Sequence, residues 1–147
     1  MRTICLFFEI HQPVLLKRYR FFDIGINHYY YDDYANATRI GDVAERSYIP
    51  ALNTLIDMVT ENNGAFKVAI SISGIACEQL EIHAPAVIDL LKKLNDTGCC
   101  EFLAELYSHG LAALTNDKVF KNQVARQVEK MNALFGVTPK VLVNTDM

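Results

Sequence analysis

The sequence predicts an α/β fold, the N-terminal portion of a parallel (β/α) barrel with about four strands and three main helices. Two observations carry that reading. An apolar helix, a glycine just past its end and then a short apolar strand recur three times along the 147 residues. The strands are nearly continuous in apolar residues, as expected when both of their faces are covered. Such alternation implies a parallel sheet with right-handed crossovers.

The first strand is Thr3 to Ile10. Roughly 35 residues separate it from the first firm helix, far beyond the usual βα connection of about 2–6. This stretch holds Tyr19, Phe21, Phe22, Tyr29, Tyr30, Tyr31 and Tyr34 among Lys17, Arg18, Arg20, Asp23, Asp32 and Asp33. Two readings stay open for it, a functional loop and a local satellite core. The first helix begins near Pro50, since proline suits the first helical turn. Leu52, Leu55, Ile56 and Val59 form its apolar face, Gly64 ends it, and Phe66 to Ser73 reads as a strand. The second helix begins near Pro85, with Val87, Ile88, Leu90, Leu91 and Leu94 on one side. Gly98 ends it, and Glu101 to Ala104 reads as a strand. The third begins after Asn116 or Asp117, both good N-caps. Val119, Phe120, Val124, Val128, Met131 and Leu134 supply its face, Gly136 ends it, and Lys140 to Asn144 reads as a strand. A glycine just past a helix can take the left-handed conformation that terminates it. A doubly wound sheet fits less well, because His11-Gln12-Pro13 stands where a glycine-rich phosphate loop would follow the first strand.

Composition limits the function classes. The length suits one domain, and 51% hydrophobic with 21% charged residues is ordinary globular usage. A net charge of −3 gives no general affinity for nucleic acid or anionic membrane. No apolar run approaches the roughly 20 residues that cross a bilayer. Ile4 to Phe8 is apolar, but Glu9 and His11 follow at once and no cleavage site is present, so the cytoplasm is the expected compartment. Cys5 and Cys77 read as buried small hydrophobes. Cys99 and Cys100 are adjacent, which is neither a zinc spacing nor a favourable disulfide geometry, so all four are expected as free thiols.

Parallel β/α folds bind ligands at the carboxyl ends of their strands. Past the first strand come His11 and Gln12. Past the second come Ser71, Ser73 and Gly74, then Glu78 and Gln79. Past the third come Glu105, Tyr107, Ser108 and His109, and past the fourth Asn144, Thr145 and Asp146. The opposite connections, Asn63-Gly64, Thr97-Gly98 and Gly136 to Pro139, are plain turns. Each residue also has a structural reading. His11 could bond a backbone carbonyl, Glu105 and His109 could pair across a loop, the serines could be turn residues, and Asp146 could cap a helix. Their gathering at one end of the sheet favours a polar pocket of carboxylates and imidazoles. His11, His28, His83 and His109 lie far apart in sequence, so their spacing supports no metal site. There is no Gly-x-Ser-x-Gly elbow, and no cysteine sits at a strand end with a helix start.

At these same residues the sequence resembles glycoside hydrolase family 57. The resemblance rests on His11-Gln12-Pro13, on Ser71-Ile72-Ser73-Gly74 with Glu78 to Glu81, and on Glu101 to Glu105 through His109. It continues through Phe135-Gly136 to Val141 ahead of Asn144-Thr145, and Lys17 to Asp23 is similar to an α-amylase-like subset. It covers essentially the whole chain. It implies an incomplete seven-stranded barrel, of which residues 1–147 are the truncated N-terminal part of the catalytic domain. It also implies retaining hydrolysis or transglycosylation of α-glucans, with no metal or cofactor. Asp146 falls at the nucleophile position, where the family has glutamate. Aspartate is one methylene shorter, withdrawing the carboxylate by roughly 1.5 Å, whereas catalytic groups tolerate about 0.5 Å. Two readings stay open there, a nucleophile advanced by backbone adjustment and a catalytically weak homologue. The general acid is implied beyond Met147. His11 and Gln12, Ser73 and Gly74, and Glu105, Tyr107 and His109 are implied on the substrate side, with tyrosines of the long loop stacking on sugar faces. The implied partners are an α-glucan and either the remaining strands or a second copy covering the open edge, with the chain inactive by itself. Two other functions remain: a non-catalytic carbohydrate-binding homologue, and a barrel hydrolase of the polysaccharide deacetylase type. That last class needs a metal held by histidines and an aspartate.

Overall fold

A computed structural model describes residues 4–26 and 28–144. Three strands, β1 (Phe7–Ile10), β2 (Val68–Ile72) and β3 (Cys100–Leu103), pair in parallel in the order β1-β2-β3. Phe8 stands opposite Ile70, and Ile70 opposite Phe102. The helices are α1 (Asp33–Val43), α2 (Ile49–Glu61), α3 (Gly74–His83), α4 (Pro85–Asp96), α5 (Ala112–Thr115) and α6 (Asp117–Phe135). A parallel α/β sheet is therefore present, as its apolar strands require. The central strand β2 is the most buried, with Val68, Ile70 and Ile72 at 3% exposure or less.

Local signals explain where the helices start. Pro50 and Pro85 occupy the first turns of α2 and α4. The Asn116 side chain accepts from the Lys118 and Val119 amides at the start of α6. Gly64, Gly98 and Gly136 all adopt the left-handed conformation that a β-carbon would strain. The four apolar residues expected on α2 are buried, as are Val87, Ile88, Leu91 and Leu94 of α4. They meet Leu80 and Cys77 of α3 and Met131 and Phe135 of α6 in one core. Burying a residue such as Leu91 contributes about 1.5–3 kcal/mol.

The structure departs from the sequence expectations in five places. First, the long aromatic stretch is not all loop. Asp32 accepts from the Ala35 amide and starts α1, which continues through a π-helical turn (Ala44–Tyr48) into α2. Second, a hairpin precedes α1, with Leu16 bridging Tyr31 and Tyr19 stacked on Tyr30. Phe21 and Phe22 are each 81% exposed, so this segment is no satellite core around them. Third, α6 buries Gln127, Met131 and Phe135, while Val119 is exposed and Val124 and Val128 are only half-buried. Fourth, the strand expected at Lys140–Asn144 is a single parallel bridge from Leu142 to Ala104. The Ala104 amide donates to the Val141 carbonyl, and the Val143 amide to the Ala104 carbonyl, each at 2.8 Å. Fifth, Cys5 is exposed, because β1 has a covered face only at Ile10. All four cysteines are free thiols. No helix among the described residues is long and apolar enough to cross a membrane.

Candidate active site

Parallel register carries the residues past β1, β2 and β3 to one end of the sheet. His11 follows β1 directly, and its Nδ1 bonds the Ser73 hydroxyl at 2.7 Å across 62 positions of sequence. That hydroxyl also caps α3 by accepting from the Ala76 amide at 3.2 Å. Ser73 thus serves both the turn and the site. Glu105 and His109 follow β3. The His11 and His109 rings stack with centroids 4.0 Å apart and planes 13° apart. His109 Nδ1 lies 3.3 Å from Glu9 Oε1 and 3.7 Å from Glu105 Oε1. One ligand atom from each of His11, Glu105 and His109 falls within 4.8 Å of the others.

Glu105 is the chemically loaded member. It is 2% exposed, and its Oε1 makes no hydrogen bond. Burial pushes its carboxyl up to about 7; the neighbouring Ser71 hydroxyl opposes this and the Glu9 charge adds to it. His109 holds a left-handed backbone with φ of 51°, unusual for a residue with a β-carbon.

Around this cluster the other expected residues are fixed in place. Gln12 donates to the Tyr48 hydroxyl at 3.1 Å and accepts from Arg39 Nε at 3.2 Å, while Gln79 donates to its carbonyl at 2.7 Å. The π-helical turn is what brings Tyr48 to this position. Gly74 lies under the Tyr107 ring, where an added β-carbon would come within 2.2 Å of it. The Tyr107 hydroxyl donates to Glu78, and Arg126 sits 4.1 Å over its ring. Burial first, then Glu78, pushes that hydroxyl up to about 12. Tyr107 is thus buried against α3 and α6 as a clamp. The Ser108 amide and hydroxyl both donate to Gln123 Oε1. Asp146 lies outside the described residues.

Sequence reasoning missed Glu9, Arg39, Tyr48 and Gln127. Glu9 carried a signal, a lone charge inside an apolar strand two residues before His11. Gln127 carried none, since its role is to donate from Nε2 to the Ile72 carbonyl at 2.6 Å inside the core. The cluster gathers two imidazoles and the Glu105 carboxylate, with Glu9 beside His109, a set that can bind sugar hydroxyls or move protons.

A model of glycosyl hydrolase family 57 matches residues 5–147. A curated protein of Methanocaldococcus jannaschii named "Putative alpha-amylase" is 33% identical over 95% of this chain, which covers 30% of that protein. The fold is similar to the 4-alpha-glucanotransferase of Thermococcus litoralis, with a TM-score of 0.66 and 20% identity over 92% of this chain and 18% of that one. It is also similar to a branching enzyme of Thermococcus kodakaraensis, with a TM-score of 0.64 and 15% identity over 95% of this chain and 32% of that one. The chain spans about a third or less of the length of these relatives. With the matched family model running through every strand end that builds the cluster, the chain belongs to glycosyl hydrolase family 57.

Proposed function

We propose that this chain supplies the substrate-binding face of an α-glucan-active catalytic domain that performs retaining hydrolysis or transglycosylation. The observation that carries the reading is the polar cluster of His11, Glu105 and His109 at the carboxyl ends of parallel strands. In this reading the barrel continues beyond β3, and the bridge at Leu142 begins its next strand. One carboxylate attacks the anomeric carbon while a second, kept protonated, donates to the leaving oxygen. The two stand about 5–5.5 Å apart in retaining enzymes. Asp146 is the proposed nucleophile, and a residue beyond Met147 is the proposed acid. His11 and His109 bond substrate hydroxyls, the Gln12 amide is held for the same purpose, and Ser73 fixes the His11 ring. Exposed aromatics, Phe21 and Phe22 of the hairpin and Tyr34 in the first turn of α1, offer faces for sugar C–H surfaces. Four free thiols suit a reducing compartment, and the cytoplasm is the proposed location.

The test compares the 147-residue chain with a version extended by the downstream barrel. The chain alone is expected to show no α-glucan hydrolysis. In the extended protein D146A abolishes turnover, and azide restores it with formation of a β-glycosyl azide. Full activity of D146A would overturn the nucleophile assignment, and robust hydrolysis by the chain alone would overturn the two-part site.

A further inference from the structure

We propose that Arg39 and Tyr48 are positioning residues that set which way round the Gln12 amide lies, so that Gln12 presents one donor and one acceptor to the hydroxyls of an α-glucan. The inference rests on the glucan reading above and adds to it the residues that give the site its polarity. Neither residue follows a strand end. Both come from the helical stretch that begins with α1 and runs through the π-helical turn.

Gln12 is tethered by three elements. Arg39 of α1 donates from Nε to its Oε1 at 3.2 Å. The Tyr48 hydroxyl of the π-helical turn accepts from its Nε2 at 3.1 Å. Gln79 of α3, itself buried, donates to its backbone carbonyl at 2.7 Å. Backbone and side chain are thus held separately. The two side-chain partners are not equivalent. A guanidinium only donates, so the Gln12 atom that faces it must be the oxygen. A tyrosine hydroxyl donates or accepts, and would tolerate either end of the amide. Arg39 therefore decides the orientation. Tyr48, which packs against the core, anchors the nitrogen end. An amide has two N–H groups and two lone pairs on its oxygen. The two partners take one of each, and the remaining N–H and lone pair match two neighbouring hydroxyls, one accepting and one donating. A reversed amide would exchange the two and set like groups against each other.

The π-helical turn is what lets one helical stretch supply both partners. A regular α-helix turns by about 100° per residue, so nine positions would put Arg39 and Tyr48 about half a turn apart, on opposite faces. The turn Ala44–Tyr48 is closed by the Ile49 amide bonding the Ala44 carbonyl. This wider loop takes back part of the offset. Both side chains then reach the residue that follows His11.

The test reads the amide first and the sugar second. In nuclear Overhauser spectra of the 15N-labelled 147-residue chain, the Gln12 amide protons show a contact to the Tyr48 ring. R39L weakens that contact, because the amide then lies either way round, while R39K restores it. Y48F keeps it, because Arg39 still sets the orientation. Arg39 is exposed, so R39L leaves thermal unfolding unchanged. In the protein extended by the downstream barrel, maltotriose is titrated by calorimetry. R39L weakens binding about fivefold, Y48F about threefold, and R39K stays within about twofold of the unmutated protein. An undiminished amide contact in R39L overturns the proposal, and so does R39L binding maltotriose as tightly as the unmutated protein. If the unmutated extended protein binds no maltotriose, the glucan reading falls instead, and the amide contact still decides whether Arg39 sets the orientation.

Discussion

Strands β1 and β2 are neighbours in one sheet, yet their surroundings are opposite. Phe8 and Ile70 face each other in register, but Phe8 is 42% exposed and Ile70 only 1%. Along β2, burial reaches both faces; along β1 only Ile10 is buried. The stability of this chain therefore resides in β2 and the helices around it. The β1 side is a partly exposed apolar surface, and an apolar strand edge in water invites pairing.

The largest expected effect tests the buried side. Ile70→Ala removes a side chain enclosed by the core and should cost about 2–5 kcal/mol in urea unfolding. A loss below 1 kcal/mol would mean that β2 is not the centre of the fold. Gln127→Leu comes next. It keeps the volume but leaves the Ile72 carbonyl without its donor, costing about 1–3 kcal/mol. Because that carbonyl ends β2 beside Ser73, the same variant should loosen the strand-end cluster, visible as faster amide exchange at Ser73 and Gly74. Asp32→Ala removes the cap of α1 and should cost about 1 kcal/mol. Its loss should be confined to α1 and the hairpin, leaving exchange in β2 unchanged.

How much of this was legible in the sequence follows the range of each interaction. Helices α2, α4 and α6 were readable because Pro50, Pro85 and Asn116 act within one turn of themselves. Helix α1 was not, because its buried stripe is narrow and begins with Asn36. That residue is buried on account of distant partners: its side chain bonds the Leu15 amide and carbonyl. The site splits the same way. His11, Glu105 and His109 were identifiable singly, as polar residues at the ends of apolar strands. Their gathering at one end of the sheet was readable as well, from the parallel β/α pattern, but the stacking of His11 on His109 was not, because sequence spacing says nothing about how side chains pack across neighbouring strands. The clamp of Tyr107 over Gly74 was likewise invisible, since a ring seated on a glycine leaves no periodic trace.

The smallest expected stability effect sharpens the comparison most. Phe8→Ser sits directly across from Ile70, yet it removes a side chain that solvent already reaches. Its effect on unfolding free energy should stay within about 0.5 kcal/mol, as for other surface changes. Its effect on association should be larger. Leu6, Phe7 and Phe8 together present an apolar strip on a strand with one paired neighbour among the described residues. Sedimentation of the 147-residue chain across a concentration series should show self-association that Phe8→Ser weakens. In a protein that carries the completing strands, the same substitution should instead destabilise by about 2 kcal/mol or more, because Phe8 is then enclosed. Equal stability losses in the short and extended proteins would show that the β1 side is a finished surface and that no further strand packs against it.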